Sequence, residues 1–115
     1  MTTRELEATV RQRQGVAILD LTGDVDSRAE AALQRGYDEA VAGGGPVVLN
    51  FGGADYINST GIALIVGLLA QARKDRLNVR AFGLSEHYRE IFEITRLSEF
   101  MTITDDEAGA LSHDA

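Results

Sequence analysis

The side chains best placed for chemistry are an amide and two hydroxyls at the start of the most apolar predicted helix, residues 59–76. Asn58, Ser59 and Thr60 stand directly before Gly61. Asn58 or Ser59 can cap the free backbone amides of a helix N-terminus, which is a purely structural interpretation. Glycine in a first helical turn costs about 1 kcal/mol relative to alanine. Gly61 therefore indicates that another group comes close to this turn.

Other candidate chemical groups are few and scattered. His87 falls early in a surface-type helix and His113 in the polar C-terminal segment, so they cannot be argued into one site. The acidic residues lack the spacing of a calcium loop, and no glycine-rich phosphate-binding motif is present. We therefore expect no catalytic residue, no metal and no cofactor, and we predict that the protein is not an enzyme. Asp26 precedes a predicted helix and fits either a helix-entry role or a partner contact.

Length and charge limit the possible partners. A chain of 115 residues is predicted to form a single domain over residues 1–115, with a core at about 5–104 and a polar tail at 105–115. The net charge of −7 disfavours nucleic acid and anionic membrane surfaces as partners. The longest apolar run, residues 61–70, is too short to span a bilayer, and residues 1–7 lack the apolar stretch of a secretory signal. With no cysteine in the chain, a cytoplasmic location is expected.

Hydrophobic periodicity predicts an α/β domain in which four to five strands form a mixed sheet packed with about four helices. Ser27 and Glu30 predict a capping box before the first helix. Gly52 and Gly53 are expected to end a strand and open a loop. Ser85 is a predicted N-cap for the helix that follows the fourth strand. The predicted strands cover residues 6–10, 16–21, 46–51, 79–82 and 101–104.

The helix predicted at 59–76 is apolar on nearly every side. At 100° per residue, one broad face suits the sheet and contains Ile62, Ile65, Val66, Leu69 and Ala72. The opposite face is small and weakly polar, with Ala63, Leu64, Gly67, Ala70 and Gln71. A sheet covers only one side of a helix, so this second face is expected to be covered either by another element or by a partner.

Three motifs, in this order, resemble those of the STAS domain family, and within it the stand-alone bacterial anti-sigma factor antagonists. Leu-Thr-Gly-Asp-Val-Asp at residues 21–26 resembles the first loop of the family. The strand at 47–51 and the segment Asp-Tyr-Ile-Asn-Ser-Thr-Gly at 55–61 resemble its signature strand and loop. Phe-Glu-Ile-Thr-Arg-Leu at 92–97 is similar to its C-terminal pattern. The resemblance spans residues 18–104.

The sequence departs from the family pattern at two positions. Asn58 stands where members often have aspartate, so a carboxylate beside the signature hydroxyl is missing. Arg96 replaces a frequent glycine.

The resemblance implies a regulatory role and assigns residues to it. The family's phosphoacceptor precedes the signature glycine, which carries over to Thr60, with Ser59 as the alternative. Such proteins, when unphosphorylated, bind an anti-sigma factor that is a Ser/Thr kinase and thereby release a sigma factor. Phosphorylation by the kinase breaks the complex and a Ser/Thr phosphatase restores it. The partner contacts expected here are Asp26, Asn58, Ser59, Gly61, Ala63, Leu64 and Gly67.

The same resemblance allows two other interpretations of the domain's role. The domain could be a scaffold subunit of a transport ATPase or of a stressosome-like assembly, in which Thr60 is a contact without a phosphorylation cycle.

Overall fold

The computed structural model describes residues 4–112, which fold as a five-stranded mixed sheet with four α-helices. The strands lie in the order β1-β2-β3-β4-β5, with β1 antiparallel to β2 and the other neighbours parallel. This confirms the predicted α/β class. The elements are β1 (Glu7–Arg13), β2 (Val16–Val25), α1 (Glu30–Val41), β3 (Val47–Ile57), α2 (Ser59–Lys74), β4 (Val79–Phe82), α3 (Glu86–Ile94), a 3-10 turn (Leu97–Glu99), β5 (Thr102–Ile103) and α4 (Glu107–Ser112).

The two faces of the sheet carry separate hydrophobic clusters because strand side chains alternate between faces. On the larger face, Leu19, Leu49 and Ala81 from three neighbouring strands pack with buried residues of α1, α2 and α3. The smaller cluster, on the other face, contains Val16, Ile18, Val48 and Phe82 together with Ala110 of α4. The parallel strands β2 to β4 are therefore covered on both sides, as parallel sheets usually are.

Strand β3 continues past the glycines that were expected to end it. Gly52 and Gly53 lie inside the strand, whose pairing with β2 runs to Val25 opposite Ile57 with two register shifts. A Cβ on Gly53 would lie 2.9 Å from the carbonyl oxygen of Leu21, so glycine permits the close approach of the two backbones. The predicted loop was wrong because pairing with β2 supplies the hydrogen bonds of this segment.

The entry to α1 also differs from its prediction. The N-cap position is Ala29, with no side-chain cap hydrogen bond, so the capping box at Ser27 and Glu30 was wrong. Instead, Asp26 Oδ1 accepts a hydrogen bond from the backbone N–H of Arg28 at 2.9 Å. This local turn competes with a cap at Ser27, because the side chain of the preceding residue, Asp26, already accepts from the Arg28 amide.

The segment predicted as a polar tail contains α4. Its Ala110 is buried, and the buried Arg80 of β4 donates from a guanidinium nitrogen to the Ala110 carbonyl oxygen at 2.7 Å. Glu107 forms ion pairs with Arg11 and Arg13 of β1. The sequence does not predict this helix, because the segment is short and polar and only one alanine in it is fully buried. The side chain that holds the helix, Arg80, comes from a distant strand. His113 lies outside the described residues.

Candidate functional site

The N-terminus of α2 is held by three hydrogen bonds that backbone N–H groups donate, one to a backbone carbonyl and two to side chains. The Ile57 N–H donates to the Tyr88 hydroxyl oxygen at 3.0 Å, and the Asn58 N–H donates to the Val25 carbonyl at 3.2 Å. Asn58 Oδ1 accepts from the Gly61 N–H at 2.9 Å and so caps the helix. Of the two predicted capping residues, the structure therefore selects Asn58. The sequence does not predict the role of Tyr88, because α3 lies far along the chain from this loop.

Gly61 is buried against the end of β2. A Cβ at this position would overlap the carbonyl oxygen of Val25 and lie 2.7 Å from its carbonyl carbon. The close approach expected from the sequence is thus made within the domain, by the backbone of the strand that leads into Asp26. Because Val25 pairs with Ile57, the segments that carry Asp26 and Asn58 meet at the same end of the sheet.

Ser59 and Thr60 are both exposed to solvent. Since Asn58 caps the helix, neither hydroxyl is needed for that purpose. No hydrogen bond joins either hydroxyl to another residue within 4–112. Both side chains are therefore accessible to another protein. They lie in the first turn of a 16-residue helix, where the backbone N–H groups have no partner within the helix itself.

The burial of α2 corrects one detail of its predicted faces. Ile65, Leu69 and Ala72 are buried as predicted, but Val66 is 46% exposed and Leu68 takes its place in the core. The helix is thus rotated toward α1 relative to the predicted packing. Leu68 lines the groove between α2 and α1, so α1 as well as the sheet determines which face of α2 is buried.

A groove of about 230 Å³ runs between α1 and α2. It joins the predicted partner contacts Ala63, Leu64 and Gly67 in one surface, and Ala63 and Gly67 remain exposed. The other lining residues are Glu30, Leu33 and Gln34 of α1 with Leu68 and Gln71 of α2. The small face of α2 is therefore partly covered by α1. The sequence does not predict the contribution of α1, because Glu30 fits the pattern of a helix cap.

Two side-chain contacts fix the spacing of the groove. Gln34 and Gln71 exchange reciprocal amide hydrogen bonds of 3.0 and 2.7 Å across the two helices. Nearer the C-terminus of α2, the Tyr37 hydroxyl donates to Asp75 Oδ2 at 3.0 Å. Burial and this hydrogen bond raise the pKa of Tyr37 to about 12. The two helices are thus held together by one pair of amide side chains and by one hydrogen bond from a neutral phenol to a carboxylate.

Asp26 is engaged by its own segment. Its carboxylate forms a 2.8 Å ion pair with Arg28, which also lies 3.8 Å from the carboxylate of the buried Asp24. Hydrogen bonds from the Arg28 side chain and backbone hold the pKa of Asp26 below its ordinary value. These contacts support the helix-entry role of Asp26, and they also leave an ionised group beside the loop that carries Asn58.

The chain matches the STAS domain family over residues 7–110. It belongs to that family. BtrV of Bordetella bronchiseptica, a candidate anti-sigma factor antagonist, is 33% identical over 110 residues, covering 91% of this chain and 92% of the relative. An anti-sigma-B factor antagonist of Staphylococcus epidermidis is 32% identical over 59 residues, 51% of this chain. That match covers only 55% of the Staphylococcus protein.

Solved structures show the same fold at lower identity. An anti-sigma factor antagonist from Mycobacterium paratuberculosis superposes with a TM-score of 0.77 at 17% identity, covering 94% of this chain and 92% of the other. The Bacillus cell fate determinant SpoIIAA in its phosphorylated form superposes with a TM-score of 0.65 at 17% identity, covering 90% of this chain and 96% of SpoIIAA. The predicted family and fold are thus confirmed.

The backbone at Arg96 explains why glycine suits this position. Arg96, where glycine is frequent in the resemblance, adopts a left-handed backbone with φ of 64°. Glycine takes this conformation without steric cost, and arginine takes it here at the start of a 3-10 helix.

Within residues 4–112, no group of three or more metal-binding side chains is found, and no helix combines the length and apolarity needed to cross a membrane.

Proposed function

We propose that this STAS domain is an anti-sigma factor antagonist regulated at Thr60. In its unphosphorylated form it binds an anti-sigma factor Ser/Thr kinase, which then releases a sigma factor. The observation that carries the proposal is the exposure of Thr60 at the N-terminus of α2, beside the exposed residues Ala63 and Gly67. The relatives named as anti-sigma factor antagonists support the same role.

A phosphate at Thr60 would suit a regulatory switch, because it would leave the folded domain stable but would weaken its binding to a partner protein. It adds about −1.5 to −2 charges at the positive end of the α2 dipole, where anions are stabilised. In a protein interface the same group would be desolvated. Burying it without a partner costs roughly 3–4 kcal/mol, which corresponds to a 100- to 1000-fold loss of affinity.

The docking surface is proposed to combine the exposed start of α2 with the groove between α1 and α2. Asp26, Asn58 and Ser59 would contribute polar contacts at its edge, while Ala63, Leu64 and Gly67 would supply the apolar part. Gly61 would act indirectly, since it is buried against Val25. Small side chains suit this role because they let a partner helix or loop approach the backbone of α2 closely.

The proposed cycle assigns the chemistry to the partners. The kinase would supply ATP, Mg²⁺ and phosphoryl transfer, and a Ser/Thr phosphatase would restore the unmodified domain. This chain would provide only the acceptor hydroxyl and would have no catalytic activity of its own. Because the cycle controls transcription, we propose the cytoplasm as its location. SpoIIAA, which shares the fold, is a protein with a phosphorylated form.

The test is phosphorylation by an anti-sigma factor Ser/Thr kinase encoded in the same genome, with ATP and Mg²⁺, followed by intact-mass spectrometry. We expect the addition of one phosphate to the unmodified chain and to Ser59→Ala, and none to Thr60→Val. Both residues are exposed and neither caps α2, so the two variants are matched in structural cost. Phosphorylation lost in Ser59→Ala and kept in Thr60→Val would move the site to Ser59 and contradict the assignment.

Binding gives the second part of the test. We expect Thr60→Val to bind the kinase without being released on addition of ATP, and Thr60→Glu to bind at least 10-fold more weakly. Equal binding by Thr60→Glu would contradict the placement of Thr60 in the interface. Binding without any phosphorylation would instead favour the scaffold role in a transport ATPase or stressosome-like assembly.

A further inference from the structure

Strand β1 presents a long unpaired edge. It is the outermost strand of the sheet, and among residues 4–112 its outer side pairs with no other strand. The opposite edge strand, β5, has only two residues, whereas β1 has seven and contains no proline. Short edge strands and proline protect a sheet from pairing with another chain. Strand β1 lacks both protections.

The charges of β1 are arranged for pairing with a second copy of itself. The strand begins at Glu7 and ends at Arg13, with Val10 at its centre. If two copies pair antiparallel with Val10 opposite Val10, all seven residues are paired and each Glu7 faces the Arg13 of the other copy. Parallel pairing would instead bring like charges together. Cross-strand pairs of opposite charge stabilise a sheet and like pairs destabilise it.

We propose that two copies of this chain associate through β1 and form a continuous ten-stranded sheet. Main-chain hydrogen bonds along the two edges would supply most of the affinity, as in other strand-addition complexes. The charged ends would set the direction and register. A single slip of register would leave an end residue unpaired and break both Glu7–Arg13 contacts.

The position of α1 is compatible with this association. A Cβ on Gly36 would lie 2.6 Å from Leu19 Cδ1 and 3.2 Å from the Ala8 Cβ, so α1 packs over both β1 and β2. With strands spaced about 4.8 Å apart, the α1 helices of two copies would lie about 10 Å apart, a normal distance for packed helices. Helix α1 therefore does not obstruct the edge of β1.

The surface of α1 beside this edge also carries opposite charges. Arg35 and Glu39 are exposed, one turn apart, on the side of α1 away from the groove residues Glu30 and Gln34. Two α1 helices related by a two-fold axis run antiparallel, which lets Arg35 of each approach Glu39 of the other. Contacts between identical patches that exchange partners in this way are the general form of two-fold dimers.

Charge also limits the strength of the dimer. Each copy carries a net charge of −7, so the approach of two copies is opposed by long-range repulsion that salt screens. Arg13 already contacts Glu107 of its own chain at 3.0 Å and would be shared between two carboxylates. We therefore expect reversible dimerisation rather than a permanent assembly.

The proposed interface is separate from the Thr60 surface. Thr60 follows β3, the central strand, whereas β1 is two strands away at the sheet edge. A dimer through β1 would leave the groove between α1 and α2 open on both copies. Dimerisation through β1 is independent of the proposed regulatory function and can be measured without a kinase.

Analytical ultracentrifugation of the full chain is the first test. We expect a monomer–dimer equilibrium in the unmodified chain and a roughly tenfold higher dimer dissociation constant in Glu7→Arg and in Arg13→Glu. The double variant with both reversals restores opposite charges and should recover dimerisation. Circular dichroism would verify that each variant is folded. A strictly monomeric chain at millimolar concentration, or single reversals without effect, would overturn the proposal.

Disulfide trapping tests the register. Because the chain has no cysteine, Val10→Cys introduces a single thiol, which would face its counterpart directly in the proposed dimer. We expect rapid formation of a covalent dimer on mild oxidation. Gln12→Cys is the matched control, since in the same register its counterpart lies four residues further along, about 13 Å away. Crosslinking that is stronger at Gln12 than at Val10 would overturn the proposed register.

Discussion

Replacing Gly61 and Gly67 by alanine separates packing from helix propensity within α2. Alanine is favoured over glycine inside a helix by about 0.5–1 kcal/mol, and this gain applies to both positions. At Gly67 a Cβ would meet nothing within 4 Å. At Gly61 it would overlap the Val25 carbonyl oxygen and lie 2.7 Å from the carbonyl carbon, where ordinary contacts begin at 3.4 Å. The neighbour is backbone, so it cannot rotate away.

The expected magnitude for Gly61→Ala follows from these contacts. Overpacking costs about 1–3 kcal/mol, and separation of α2 from β2 weakens the 3.2 Å hydrogen bond from the Asn58 N–H to Val25, which contributes about 1 kcal/mol. After the gain in helix propensity, a net loss of about 2 kcal/mol remains. For a domain of this size, that loss lowers Tm by about 8 °C.

Urea unfolding followed by circular dichroism measures both variants under the same conditions. We expect Gly61→Ala to unfold at lower urea concentration and Gly67→Ala to be equally stable or up to about 1 kcal/mol more stable than the unmodified chain. Gly67→Ala should also weaken kinase binding, since it adds a methyl group to the proposed docking surface. Equal stability of the two variants would refute the argument that Gly61 is required by the approach of Val25.

Three further outcomes are expected. Because the folded state raises the pKa of Tyr37 to about 12, the stability that its neutral phenol contributes should be complete below pH 10 and decline as the pH rises toward 12. Phenolate absorbance of the folded chain, with Tyr37→Phe as the control, measures this titration. Arg80→Met should remove the hydrogen bond to the Ala110 carbonyl and increase amide hydrogen exchange in residues 107–112. Thr60→Glu should keep or slightly raise the Tm in thermal melts, because a carboxylate at a helix N-terminus is stabilising by about 0.3–1 kcal/mol.

The sequence predicted the helices and strands of the central region because their apolar residues follow one clear period. It failed where long-range backbone contacts decide the structure. Gly52 and Gly53 are typical of a loop, yet pairing with β2 keeps them in β3. The polar composition after residue 105 concealed α4, whose anchor is the buried Arg80, a residue thirty positions away from Ala110.

The candidate site was predicted in part for similar reasons. The motif at 55–61 located the exposed hydroxyls and the capping residue Asn58. Gly61 was identified as a point of close approach, but the approaching group, Val25, lies in a segment that no local pattern connects to α2. The groove between α1 and α2 was not predicted, because no local pattern places the two helices side by side. The burial of Leu68 and the exposure of Val66 depend on the same contact with α1.

The cap that Asn58 provides to α2 has a consequence for how this site could evolve. Asn58 Oδ1 satisfies the Gly61 amide, so folding places little demand on the identity of the side chain at position 60. Random drift at an exposed helical position would readily introduce alanine, lysine or glutamate, which form helices better than threonine. Selection for foldability alone would therefore not retain a hydroxyl there, and its retention among orthologues would have to reflect what other proteins do to it.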